Sequence, residues 1–245
     1  MGRKGTMINK EINSSYLNET KQIKIYKPES FSPLYKYNIC LMQDGNDYFQ
    51  MGRIATFSDR LHESEEITNT VFIGIHYKDR QDRRKKYHPS GEQYEAYTKF
   101  VVNEVIPLID EIIPTLLLGK TRAIMGDSLA GSFALATALR YPNTFGKVIM
   151  HSPYIDEVML NLVKETKVDL SSIDIYHTIG TKEDNATLSD GKVEDLLTPS
   201  RKLNQLLTNK GASYTYHELE DGNHTWKYWQ KEMPRTLTSM FSETY

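Results

Sequence analysis

Arg122-Ala123-Ile124-Met125-Gly126-Asp127-Ser128-Leu129-Ala130-Gly131 is the stretch that decides how this chain folds. A short apolar run ends at Gly126, a serine follows, and residues 129–140 continue as an Ala-rich apolar segment that stops before Pro142. That order predicts strand, sharp turn, helix. Gly126 leaves the backbone room at the turn, and Ala130 and Gly131 let the helix pack close behind it. Ser128 would then project its Oγ above the sheet, with the Leu129 amide at the helix N-terminus aimed at a developing oxyanion. Ser128 is therefore the candidate nucleophile, in a G-x-S-x-A form of the G-x-S-x-G elbow. The plain alternative is a turn serine before a buried helix; the strand–turn–helix setting favours chemistry.

Working outward, short apolar runs predict strands at 23–26, 37–42, 71–76, 122–125, 148–151, 173–179 and 214–219. Helical spacing of Tyr94, Tyr97, Val101 and Val105 predicts a helix over 94–106, with a kink or break expected at Pro107 and Pro114. A further helix is predicted from Thr198 as N-cap and Pro199 in the first turn to near Gly211. Strands alternating with helices specify an α/β chain with a mostly parallel sheet covered on both faces. No repeat or linker marks a boundary, so residues 1–245 read as one domain. Residues 1–20 are set aside as a disordered or added segment, with MGRKGT standing ahead of an alternative start at Met7.

Composition narrows the function. Thirty Lys+Arg against 32 Asp+Glu leave a net charge of −2, which disfavours a dedicated nucleic-acid binder. There is no apolar run of spanning length and no secretory h-region, so no membrane partner is expected and the location is read as cytoplasmic. The lone Cys40 excludes an internal disulfide framework and a cysteine zinc site, and it sits in an apolar run as core filler. No two histidines show helical ligand spacing, so neither metal nor cofactor is expected.

In parallel sheets, chemistry gathers in loops that leave the carboxyl ends of strands. Seven histidines are present, and His224 stands apart. It lies in a loop (Glu220-Asp221-Gly222-Asn223) after the last strand and is trailed by both tryptophans, Trp226 and Trp229. It follows the serine and an acidic loop, the Ser…acid…His order of α/β-hydrolases. His151, by contrast, precedes any acidic loop and reads as a poor base. Strand 173–179 runs into Gly180-Thr181-Lys182-Glu183-Asp184-Asn185, where Glu183 and Asp184 compete to orient the imidazole. Strand 37–42 runs into Asp44-Gly45-Asn46-Asp47, where Gly45 or Asn46 is the candidate second oxyanion amide beside Leu129.

These motifs resemble the esterase D-like branch of the α/β-hydrolases, which includes feruloyl esterases and enterochelin-esterase-like proteins. The resemblance rests on Asp44-Gly45-Asn46, Tyr87-His88-Pro89, Gly126-Asp127-Ser128-Leu129-Ala130-Gly131, Tyr141-Pro142-Asn143-Thr144-Phe145, Gly180-Thr181-Lys182-Glu183 and His224-Thr225-Trp226-Lys227-Tyr228-Trp229. It spans roughly residues 35–241. It implies an α/β-hydrolase fold, a small-molecule ester substrate, Ser128 as nucleophile, His224 as base, Glu183 as acid, and oxyanion amides at Gly45 and Leu129. Where the branch often has Gly-Gly-His, this chain has Gly222-Asn223-His224.

Two other readings compete. Gly126-Asp127-Ser128-Leu129 spells the GDSL block of a different hydrolase family, but that block lies near the N-terminus and here some 125 residues precede the serine. A non-catalytic binding protein on a hydrolase fold would need neither Ser128, His224 nor Glu183. The charge run at 78–86 reads as a solvated loop, or as a border of the pocket that attracts anions. The walls of that pocket are expected from segments 46–70 and 185–198.

Overall fold

The computed structural model describes residues 3–188 and 191–243. The chain opens with β1 (Thr6–Ser14), β2 (Glu19–Lys27), β3 (Asn38–Met42), α1 (Gly45–Gln50), α2 (Ile54–Glu63) and β4 (Thr70–Ile75). Next come α3 (Arg80–Tyr87), α4 (Tyr94–Phe100), a π-helical turn (Val101–Val105) and α5 (Ile106–Ile112). The second half holds β5 (Arg122–Asp127), α6 (Leu129–Arg140), β6 (Lys147–His151), α7 (Glu157–Glu165) and β7 (Asp174–Gly180). It closes with β8 (Ala186–Thr187), β9 (Val193–Glu194), α8 (Leu197–Asn209), β10 (Ser213–Leu219) and α9 (Trp226–Phe241).

Among the described residues, eight strands form the main sheet in the order β1-β2-β4-β3-β5-β6-β7-β10. From β4 to β10 neighbouring strands are parallel, while β2 pairs antiparallel with both β1 and β4. The period of two along each strand divides the core. On β3, Ile39 and Leu41 join the cluster covered by α4–α8, whereas Cys40 and Met42 join the cluster under α1, α2 and α9. β5 repeats this, with Ile124 on the first face and Ala123 and Met125 on the second. Strands buried on both sides must be apolar throughout, which is why they stand out as runs rather than as alternations. Burial pushes the Cys40 thiol up, away from reactivity, consistent with a packing role.

Three expectations need correction. The stretch 1–20 holds β1 from Thr6 and the start of β2, so the part of it that is described belongs to the sheet edge. Its polar, charged sequence suits a hairpin half open to solvent, which carries no long apolar run to announce it. Pro107 does not break the helix: the backbone widens to a π turn over 101–105, with the Ile106 N–H reaching the Val101 carbonyl, and continues into α5. The π turn lies directly before Pro107, and the chain becomes extended only at Ile113, ahead of Pro114. Thr198 is not the cap of α8. That helix begins at Leu197, and the Asp195 side chain accepts from the Thr198 N–H at 2.9 Å.

Candidate active site

Ser128 occupies the turn between β5 and α6 with φ 51° and ψ −125°. For a residue with a Cβ this is a strained conformation, of order 1–3 kcal/mol, that persists only where the surroundings over-determine it. Here the Ser128 N–H donates to the His151 carbonyl at 2.9 Å. A Cβ at Gly126 would come within 2.3 Å of the Ala130 backbone, so only glycine lets the strand and helix meet at this turn. The sharpness of the turn is what lifts the hydroxyl clear of the sheet.

The Ser128 Oγ lies 3.1 Å from His224 Nε2, and His224 Nδ1 lies 2.7 Å from Glu183 Oε2. Residues 96 and 41 positions apart in sequence thereby form one hydrogen-bonded chain. Glu183 is 1% exposed. Its other oxygen accepts from the Gly180 N–H at 2.8 Å and from the Ser152 hydroxyl at 2.6 Å. Ser152 in turn accepts from Trp229 Nε1 at 2.8 Å, and the Trp229 ring meets the His224 ring edge-on at 5.0 Å. A carboxylate accepts only, so Nδ1 carries the proton and Nε2 is left to accept from the serine. Asp184, the rival acid, is exposed to solvent and makes no contact with the imidazole.

The acidic loop after β7 and the histidine loop after β10 touch through two glycines. A Cβ at Gly180 would sit 2.3 Å from the Gly222 carbonyl oxygen, and one at Gly222 would sit 2.9 Å from Gly180 Cα. Gly222 is therefore the position that the close approach requires, and the Asn223 backbone N lies beside it, 2.9 Å from where a Cβ at Gly180 would sit. Gly180→Ala is expected to wedge the two loops apart, lowering stability by about 1–3 kcal/mol as an overpacked core substitution does. Thermal melting with ester turnover on the same sample checks this; an unchanged melting temperature would contradict the contact.

His151 is buried beneath the serine, between the Tyr48 hydroxyl at 3.0 Å and the Thr236 hydroxyl at 3.1 Å. Burial pushes its pKa down to about 3, so it stays neutral and structural, as its place in the chain order suggests.

Leu129 opens α6 and Gly45 opens α1; β3 and β5, the strands that feed these helices, are adjacent and parallel. First-turn N–H groups have no partner within their own helix, which is the property an oxyanion site uses. Leu129 lines a cavity of about 640 Å³ with Ser128 and His224; on the other turn Asp44 and Asp47 line it rather than Gly45 itself. Gly45 is packed against β4, where a Cβ would approach Gly74 Cα to 2.3 Å. Met51, Trp226 and Trp229 form one wall, and Thr187, Leu188 and Glu194 contribute from the other expected segment, of which 189 and 190 lie outside the described residues. Among the described residues no helix is long and apolar enough to cross a membrane.

The charge run at 78–86 is mostly helical: it forms α3, capped by Asp79, with Arg80, Arg83 and Arg84 along the cavity. Sequence reasoning missed Arg83 and Ser152 as parts of the site. Ser152 has a signal in hindsight, since it follows the last residue of β6 at the carboxyl end of the sheet and adopts φ 47°.

The mostly parallel sheet, its helices on both faces and the serine on a strand–helix turn define an α/β-hydrolase. The sequence matches the family described as Putative esterase over residues 14–240, and the chain belongs to that family. It is a hydrolytic enzyme, an esterase. It is 42% identical over 238 residues to the uncharacterized protein YjcH of Bacillus subtilis (strain 168), covering 97% of this chain and 98% of that one. Its fold is similar to that of a ferulic acid esterase (TM-score 0.81, 19% identity, 97% of this chain and 98% of that one). It is also similar to the enterobactin esterase FES from Shigella flexneri (TM-score 0.82, 18% identity, 96% of this chain and 58% of that one).

Proposed function

We propose that the protein hydrolyses carboxylic esters of small molecules through an acyl-enzyme on Ser128. The observation that carries this reading is the unbroken chain from Ser128 Oγ to His224 to Glu183, with both imidazole nitrogens already committed. His224 Nε2 takes the serine proton as Oγ attacks the ester carbonyl, and Glu183 stabilises the imidazolium that forms. The Leu129 amide and an amide at the start of α1, Gly45 or its neighbour, hold the oxyanion. His224 then returns its proton to the leaving alkoxide, and a water activated by the same nitrogen releases the acid. The cavity of about 640 Å³ suits a small-molecule ester.

A fluorophosphonate probe tests the reading directly, because it labels only a hydroxyl whose proton is being withdrawn. Stoichiometric modification at Ser128, followed by peptide mass spectrometry, is the expected result. An unlabelled protein would instead favour a binding role on the same fold.

A further inference from the structure

We infer that Arg83 is a positioning residue that ties together the two turns from which the oxyanion would be bound, the one before α1 and the one before α6. This rests on the reading of Ser128 given above and adds to it a residue outside the Ser–His–Glu chain.

Arg83 comes from the charge run that reads as solvated, yet its side chain is only 13% exposed. Its Nε donates to Asp44 Oδ2 at 2.7 Å, and one terminal nitrogen forms an ion pair with the same oxygen at 2.7 Å. The same terminal nitrogen donates to the Asp127 backbone carbonyl at 3.1 Å. Asp44 is the residue just before α1, 2% exposed and in the left-handed region at φ 54°. The Asp127 carbonyl belongs to the peptide bond that enters Ser128. That peptide is therefore fixed at both ends, its C=O by Arg83 and its N–H by the His151 carbonyl.

One guanidinium thus joins a carboxylate and a backbone carbonyl from two turns at the ends of adjacent strands, turns that hold Asp44 and Ser128 at positive φ. A planar fork can reach a carboxylate and a carbonyl at once; an ammonium on a lysine stem is a single point charge and cannot span the two in the same way. The fork itself is held in place. Tyr77 and Tyr87 flank it, with ring centroids 5.8 and 5.6 Å from the guanidinium carbon, and the Tyr87 hydroxyl accepts from the Asp44 N–H at 3.4 Å. Burial lowers the affinity of Arg83 for its proton, but Asp44 and then Asp127 outweigh it and hold its pKa up. Burial first, and then the charge of Asp44, push the Asp127 carboxyl well above the usual carboxylate range.

The test compares Arg83→Ala and Arg83→Lys with the unaltered enzyme on p-nitrophenyl acetate, with melting temperatures measured alongside. In Arg83→Ala, kcat should fall by about a hundredfold, the loss typical of one oxyanion donor, while KM moves by less than about threefold. Guanidinium at low millimolar concentration should restore at least about tenfold of that loss by re-occupying the vacated space between Asp44 and Asp127. Arg83→Lys, which keeps the charge and guards against a fold lost with the alanine, should still lose about tenfold in kcat at an unchanged melting temperature. A wild-type kcat in Arg83→Lys, or a kcat defect in Arg83→Ala that guanidinium leaves untouched, would overturn the inference. Ser128→Ala run in parallel separates the two claims: if it keeps its turnover, the reading of the site fails. If it is inert while both Arg83 variants turn over normally, only the role of Arg83 fails.

Discussion

Ser128→Ala is expected to remove ester turnover by at least a thousandfold, and by about a millionfold if nucleophile and base act as one unit. Removing the hydroxyl leaves His224 with nothing to deprotonate but water, and no acyl-enzyme forms. On the proposed mechanism the oxyanion amides and the cavity remain, so residual catalysis over water of about 10³–10⁴ is the floor. The substitution also removes little from the fold. The Ser128 backbone, not its side chain, carries the bond to the His151 carbonyl, and alanine meets the same φ of 51° that serine does. The melting temperature should therefore stay within a degree or two of the wild type, by the usual scale for a surface-type change. Turnover assayed with p-nitrophenyl acetate checks the loss, and retained activity would remove Ser128 from the mechanism.

Glu183→Gln is the second large effect, and the hydrogen bonds around residue 183 decide its sign. One side of the side chain faces a fixed backbone donor, the Gly180 N–H, so the amide oxygen must turn that way. The amide nitrogen then faces His224 Nδ1 and donates to it. That locks the imidazole in the tautomer with its proton on Nε2, where it can no longer accept from Ser128. A fall in kcat of about 10³–10⁴ follows, as for a triad whose carboxylate becomes an amide. Because a carboxamide is nearly isosteric with the carboxylate it replaces, KM should change little. Asp184→Asn, at the exposed neighbouring position, should leave both parameters alone. Steady-state kinetics of the two variants side by side distinguish the acid from its neighbour; equal effects would contradict the pairing seen here.

The two substitutions differ in what the sequence could say about them. Ser128 is legible because its environment is local: a strand, a glycine two residues before and small residues just after are all within ten positions. Glu183 and Asp184 are not separable that way, since both sit in the same acidic turn. Only the three-dimensional path decides that Glu183 points inward to Gly180, Ser152 and His224 while Asp184 points to water. Ser152 and Arg83 were less legible still. Their partners lie 31 and 39 residues or more away, and a charge run gives no hint that one arginine in it turns into the protein.

The fold shows the same division. The central parallel strands follow from their composition, because burial on both faces demands unbroken apolar runs. β1 escapes that logic: it is an edge strand with a solvated side, and polar residues suffice there.

By itself, then, the order of residues determined an α/β chain, a serine on a strand–helix turn, and a histidine and an acidic turn downstream of it. These are consequences of local sterics and of burial, which act over a few residues and leave a mark in composition. Tertiary structure brought the carboxylate that the resemblance implies against the histidine, and it alone decided which glycines allow the loops to touch and which arginine is drawn in between Asp44 and Asp127. Those outcomes depend on distances between segments far apart in the chain, fixed only once the sheet has assembled and brought the carboxyl ends of its strands side by side.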